Sequence, residues 1–82
     1  MDKLQRLHQE TEKELERMKE KHDKEWEEVK IEAHEALEGA KTAREVKKID
    51  QDYKRKMDLL SKRQTEDYVE LQREFVKKLT SL

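Results

Sequence analysis

The segment Leu37-Glu38-Gly39-Ala40-Lys41-Thr42-Ala43-Arg44-Glu45-Val46 interrupts a chain that otherwise favours helix throughout. It contains Gly39, the one glycine of a sequence without proline. Because glycine commonly ends helices in the left-handed conformation, Gly39 is predicted to cap the C-terminus of a first helix. Thr42 and Glu45 have the spacing of a capping box, which predicts the N-cap of a second helix. The predicted elements of this single domain, residues 1–82, are helix one at about 3–38, a loop at 39–41 and helix two at about 43–81.

Apolar and small side chains recur on both sides of this segment at steps of three and four residues. The order of the steps gives an 11-residue repeat, a hendecad, which keeps one stripe on one side of a nearly straight helix. The stripes of the two halves are out of phase, so the chain is predicted to break between them. The predicted core seam consists of Leu4, Leu7, Leu15, Met18, Trp26, Val29 and Leu37 in the first half and Val46, Ile49, Tyr53, Met57, Leu60, Tyr68, Leu71, Phe75 and Leu79 in the second.

The two stripes match in register when the chain is folded at the loop. Seam residues whose numbers add to 82 or 83 then lie opposite each other, so that Trp26 faces Met57 and His22 faces Leu60. The sequence therefore predicts an all-α fold, an antiparallel two-helix hairpin of the coiled-coil type. The alternative is one continuous helix through Gly39 that forms a parallel dimer, an arrangement that leaves the capping box unused.

Half of the residues are charged, and the two signs are unevenly distributed. Residues 1–38 hold eight Lys plus Arg and thirteen Asp plus Glu, net −5, whereas residues 39–82 hold twelve and eight, net +4. Helices of opposite charge attract each other when they lie side by side, although each exposed pair contributes less than about 1 kcal/mol. The charge pattern therefore favours packing of the two halves against each other.

The predicted core is small, because two helices bury only one stripe each. The layers that contain Thr11, His22, Ala33 and Gln64 weaken it further, and a core of this size contributes only a few kcal/mol. Dimerisation into a four-helix bundle would supply additional burial. The candidate partner face consists of apolar residues interpreted as lying beside the stripe, namely Ile31, Ala36, Ala43 and Leu59.

The sequence gives no indication of catalysis or of a bound cofactor. No two of the three histidines are separated by three or four residues, so none can share a helix face as metal ligands. The segment from His34 to Glu38 begins like the zinc-binding helix of metalloproteases but lacks its second histidine. Carboxylates are numerous, but a two-helix hairpin has no room for the concave pocket that catalysis needs. We therefore expect no catalytic, metal-binding or cofactor-binding residues and no small-molecule ligand.

Composition and segment types favour a cytoplasmic or other intracellular location. No apolar run reaches the roughly 20 residues needed to span a bilayer, so no membrane partner is expected. The chain has no cysteine, which suits a reducing compartment. It also lacks the charged and apolar regions that mark a signal peptide.

Helix two carries a basic outer face opposite its stripe. Residues 41–63 hold nine basic and four acidic residues, net +5. A basic face of this kind can contact the phosphates of a nucleic acid, although no exposed aromatic residue interleaves with it for base stacking. The candidate anion-contacting residues are Arg44, Lys47, Lys48, Lys54, Arg55 and Lys62.

The chain resembles two known kinds of helical hairpin. Residues 33–57, with Ala36-Leu37, the short loop, Thr42 and the step from Ile49 to Tyr53, resemble the N-terminal tRNA-contacting hairpins of some aminoacyl-tRNA synthetases. The basic run after Tyr53 adds to that resemblance, whereas the glycine expected there is absent. The overall plan also resembles the antiparallel finger that binds Rho-type GTPases in some kinases. Both resemblances use generic helical residues, and neither carries a site residue over to this chain.

The favoured function is that of a non-catalytic coiled-coil module for protein–protein interaction or self-assembly. Its expected partner is another protein or a second copy of the chain in a homodimer. The alternative function is a nucleic-acid-contacting hairpin that uses the basic outer face of helix two.

Overall fold

Two long helices packed side by side form the described structure. The computed structural model describes residues 2–82, with α1 at Lys3–Gly39 and α2 at Ala43–Thr80. The chain reverses direction between them, and α1 contacts α2 in a molecule 62 Å long. The predicted all-helical hairpin is therefore confirmed, and the alternative of one continuous helix is excluded. Within residues 2–82, neither helix has a stretch long and apolar enough to cross a membrane.

Side-chain caps begin both helices. Oδ1 of Asp2 accepts a hydrogen bond from the backbone N–H of Gln5 at 2.8 Å, and Oγ1 of Thr42 accepts from the N–H of Glu45 at 3.2 Å. The Glu45 carboxylate in turn accepts from the N–H of Lys41 at 2.9 Å, one residue before the position that a capping box uses. Because the first N–H groups of a helix have no intrahelical partner, these bonds stabilise the two starting points.

The end of α1 differs from the prediction made for Gly39. No residue between 2 and 82 has a positive φ, so Gly39 is not in the left-handed conformation. It is instead the last residue of α1, and Ala40 follows with φ −73° and ψ 134°, an extended conformation. The N–H of Ala40 donates to the carbonyl of Leu37 at 3.2 Å, which closes the helix with a tightened turn. The predicted left-handed glycine cap is therefore wrong, because the chain leaves the helix at Ala40.

Side-chain partners in the middle of the hairpin lie farther along α2 than the residue numbers predict. Trp26, expected opposite Met57, donates to Gln64, two turns farther from the loop. His22, expected opposite Leu60, bonds to Asp67, again two turns farther. Side chains on a helix lean toward its N-terminus, so in an antiparallel pair they lean in opposite directions. Long side chains consequently meet partners whose Cα atoms lie farther from the loop.

The core of the hairpin is thin. Among the described residues, the buried hydrophobic side chains are Leu7, Leu60 and Leu71. His22, at 3% exposed, is more buried than any of them, and Gln64 is buried as well. The other seam residues are half-buried or exposed, because a helix can cover only part of the apolar stripe of its one neighbour.

Candidate interaction surface

A polar cluster occupies the middle of the seam. The Nε2 atom of buried His22 lies 3.0 Å from Oδ2 of Asp67, and because a carboxylate only accepts, the imidazole donates through Nε2. The ring of His22 also meets Tyr68 edge to face, with centroids 5.0 Å apart and planes at 80°. Its Nδ1 atom is buried and has no hydrogen-bond partner among residues 2–82. The cluster therefore joins the helices but leaves one buried polar atom unpaired.

Gln64 lies in the same cluster, at a seam position where an apolar residue is the usual choice. Its Oε1 accepts from the indole N–H of Trp26 at 2.8 Å, and its Nε2 donates to the backbone carbonyl of His22 at 3.4 Å. One buried amide thus bonds to α1 at both of its ends, as buried polar groups generally require. Sliding one helix along the other would break these bonds inside the seam, so the cluster favours a single register.

The interhelical ion pairs lie on one broad face of the hairpin. Glu25 pairs with Arg63, and the Glu32 carboxylate lies 3.2 Å from Nζ of Lys56. Asp67, the partner of the buried histidine, follows Lys56 by eleven residues and so projects at nearly the same angle. We call the surface formed by Glu25, Glu32, Lys56, Arg63 and Asp67 the ion-paired face.

The opposite broad face is apolar and open. Leu4, Leu15 and Leu37 on α1 remain about two-fifths exposed, although they belong to the predicted core seam. They are separated by multiples of eleven residues, which places them at nearly the same angle on the helix. Val46, Tyr68 and Leu79 repeat this arrangement on α2, and half-buried Trp26 and Met57 complete the two rows. We call these eight residues, Leu4, Leu15, Trp26, Leu37, Val46, Met57, Tyr68 and Leu79, the apolar face.

Two grooves run along the apolar face. The loop-end groove lies between Leu37 and Val46 and is bordered by Lys30, His34 and Asp50. The free-end groove has no charged residue in its lining. It is formed by Thr11, Leu15, Tyr68, Leu71, Gln72 and Phe75.

The two sides of the seam therefore differ: ion pairs bridge the helices on one side, and large apolar side chains are exposed on the other. On the ion-paired face, long charged side chains extend across the contact between the two helices. On the apolar face, no ion pair between residues of the described chain crosses from one helix to the other. Exposed large apolar side chains that are grouped on one face commonly mark an interaction site.

The four residues that the sequence suggested as a candidate partner face do not form a single surface in the structure. Ala36 and Leu59 line grooves on the side of the ion-paired face. Ile31 is exposed on the outer side of α1, and Ala43 is the first residue of α2. The structure thus separates these four residues, and the larger apolar surface is formed by residues of the seam itself.

Val69 and Val76 are exposed apolar residues that the seam pattern does not include. Together with Gln72 they line a shallow depression near the free end of α2. Their separation of seven residues, two helical turns, is the sequence signal that places them on one side of the helix. Four charged residues of α2 line the same depression, so it is not part of the apolar face: Glu70, Arg73, Glu74 and Lys77.

The six candidate anion-contacting residues are all exposed on α2. Lys54 pairs with Asp50, one turn earlier, at 3.0 Å. The other five have no ion-pair partner within residues 2–82. The basic outer face is therefore available to solvent, and its single ion pair lies within α2.

The three histidines occupy separate environments. The ring of His8 packs near Phe75, with centroids 5.3 Å apart. His34 lies 3.0 Å from Glu38 on the exposed surface, and His22 belongs to the polar cluster. In the described part of the chain, no group of three or more His, Cys, Asp or Glu side chains could hold a metal ion.

An open apolar face and an ion-paired face lie on opposite sides of one hairpin, and the acidic and basic helices are joined by a buried polar cluster. Comparisons with protein-family models, with curated proteins and with solved structures find no match to this chain.

Proposed function

We propose that this chain is a non-catalytic coiled-coil module that binds a helical protein surface through its apolar face. One observation carries the proposal: the exposed large side chains of the seam all lie on one face, whereas the interhelical ion pairs lie on the other. A hairpin that functioned alone would have no evident need for this asymmetry.

The length of the apolar face indicates the kind of surface it fits. From Leu4 to Leu37 the row on α1 extends for roughly 50 Å at 1.5 Å per residue. An 11-residue repeat presents one such side chain every three turns, a spacing suited to helices lying nearly parallel or antiparallel to the hairpin. Packing of that kind would turn the hairpin into half of a helical bundle and add burial to its thin core.

Site-specific photocrosslinking in the native cells tests the proposal. A benzophenone amino acid placed at Leu15 or Leu79 is expected to crosslink to protein, because both positions belong to the apolar face. The matched controls are Leu59, 62% exposed, and Ile31, 48% exposed, which lie elsewhere on the surface. Equal crosslinking at all four positions, or none at Leu15 and Leu79, would contradict the proposal.

The nucleic-acid alternative is supported by the exposure of the basic outer face. Replacing Arg44, Lys48 and Arg55 with glutamine should then weaken RNA binding. The affinity of the unmodified chain should fall steeply with salt, because the release of counterions from RNA becomes less favourable as the salt concentration rises. Replacing Lys13, Lys21 and Lys24 on the acidic helix is the matched control. A chain that does not bind RNA at low salt would exclude this alternative.

A further inference from the structure

We infer that the occupant of the apolar face is a second copy of this chain, packed so that the two loops lie at the same end of a four-helix bundle. This inference rests on the proposed function and names the partner. The spacing and the dimensions of the apolar face support a second copy as partner, and the net charges of the two helices support this arrangement.

The spacing of the two rows matches that of a second copy. Leu15 and Tyr68 flank one groove and Leu37 and Val46 flank the other, and along each helix the rows advance by eleven residues. A second apolar face repeats this spacing along its whole length. Each row of one copy can therefore lie beside a row of the other without a change of register.

The dimensions of the hairpin suit a stable dimer. Its broad face measures 62 by 18 Å, so full contact would cover a footprint on the order of 1,000 Å² per copy. A standard protein–protein interface buries about 800 Å² on each partner. Two hairpins packed face to face thus have enough contact surface without a third chain.

Net charge selects the arrangement of the four helices. When the loops lie at the same end, α1 of each copy lies beside α2 of its partner. Residues 1–38, net −5, then neighbour residues 39–82, net +4, of the other copy. When the loops lie at opposite ends, α1 of one copy lies beside α1 of its partner, and α2 lies beside the partner's α2. Two segments of net −5 are then neighbours, and so are two segments of net +4. Like charges along adjacent helices oppose that arrangement, because neighbouring helices lie within about one Debye length.

The borders of the grooves favour the same arrangement. Lys30 and Asp50 border the loop-end groove, whereas the free-end groove has an uncharged lining. With the loops together, two loop-end grooves meet, and Lys30 of each copy lies near the partner's Asp50. Asp50 already pairs with Lys54 in its own helix, but both side chains are more than half exposed and can be rearranged at little cost. With the loops apart, Lys30 and Asp50 would face the uncharged groove.

Two measurements on the purified 82-residue chain test the inference. Light scattering across a concentration range should give a mass near twice the 10.0 kDa of one chain at the upper concentrations. A nitroxide label at Lys41→Cys, in the exposed loop, should then give intermolecular distances below about 30 Å by pulsed electron resonance, as expected for loops of adjacent helices. A dimer with loop-to-loop distances near the 62 Å length of the hairpin would overturn the arrangement.

A matched pair of variants shows whether the apolar face forms the dimer. Leu15→Glu should raise the dimer dissociation constant by roughly a hundredfold, since it buries an unpaired charge in the contact. Leu59→Glu, on the other side of the hairpin, should leave the constant unchanged. Circular dichroism of both variants checks that each keeps its helical content, which is expected because both leucines are exposed in the single hairpin. Equal effects of the two variants would overturn the inference.

The failure of this inference can be distinguished from failure of the proposed function. The chain could have the mass of one copy at every concentration and still form crosslinks from Leu15 to a different protein. That result would overturn the inference that a second copy binds the apolar face, but it would support the proposed interaction module. A mass of one chain without such crosslinks would overturn both. A trimer or larger assembly would also overturn the two-copy arrangement.

Discussion

Replacing Gly39 with alanine should stabilise the hairpin. Gly39 is the last helical residue of α1, has no positive φ, and a Cβ added to it would meet nothing within 4 Å. Alanine in a helix is favoured over glycine by about 0.8–1.0 kcal/mol, and the terminal position reduces that gain. We therefore expect Gly39→Ala to raise the free energy of unfolding by about 0.5–1 kcal/mol, chiefly because the unfolded chain loses conformational freedom.

Whether Gly39→Ala raises or lowers the free energy of unfolding distinguishes the observed helix end from a left-handed glycine cap. If Gly39 had a positive φ, alanine there would destabilise the hairpin by about 1 kcal/mol or more. Urea unfolding followed by circular dichroism at one fixed protein concentration measures the difference. Ala40→Gly is the matched control, and it should lower stability because it adds freedom to the unfolded chain at an extended position. A loss of stability in Gly39→Ala would contradict this prediction and indicate a left-handed glycine instead.

Three further predictions concern the seam and the second helix start. Leu71→Ala should cost about 2–3 kcal/mol in the single hairpin because this leucine is 8% exposed, whereas Leu15→Ala, at 42% exposed, should cost about 1 kcal/mol. Urea unfolding at the lowest workable protein concentration compares the two variants. Equal losses of stability would contradict the exposure of the apolar face. His22→Leu should raise the melting temperature, with a gain of about 1 kcal/mol, because it removes the unpaired buried Nδ1 and leaves a partly exposed carboxylate that water can solvate. A marked loss would show that the bond to that carboxylate contributes more than the packing gained. Thr42→Ala should lower stability by about 1 kcal/mol through loss of the N-cap, while Thr65→Ala, at an exposed position inside α2, should not; helicity measured against temperature distinguishes them.

The hairpin and its helix starts could be predicted because their causes are local. Thr42 and Glu45 each bond to nearby backbone groups, so their sequence spacing was sufficient to predict the start of α2. The end of α1 was predicted less well, because Gly39 can adopt either helical or left-handed conformations and its identity does not choose between them. The chain instead reverses direction through an extended Ala40.

The side-chain partners in the middle of the seam could not be predicted from residue numbers. Trp26 bonds to Gln64, two turns beyond Met57, because long side chains lean in opposite directions on antiparallel helices. From the sequence, Gln64 is expected to weaken one layer of the core. The fold instead places its amide between the indole N–H of Trp26 and a backbone carbonyl of α1. Nothing in the spacing of either helix alone contains that information.

Periodicity, capping residues and composition act within each segment, so the sequence predicts two helices, the region in which the chain turns between them, and their opposite net charges. Which half of the apolar stripe is covered depends on how the two helices pack against each other, and the sequence does not predict it. Each helix has a single neighbour, so its stripe is half enclosed, and the ion pairs between Glu25 and Arg63 and between Glu32 and Lys56 lie on one side of the contact. Leu15 and Tyr68 are left on the other side, because two cylinders in contact can bury only the surfaces that face each other.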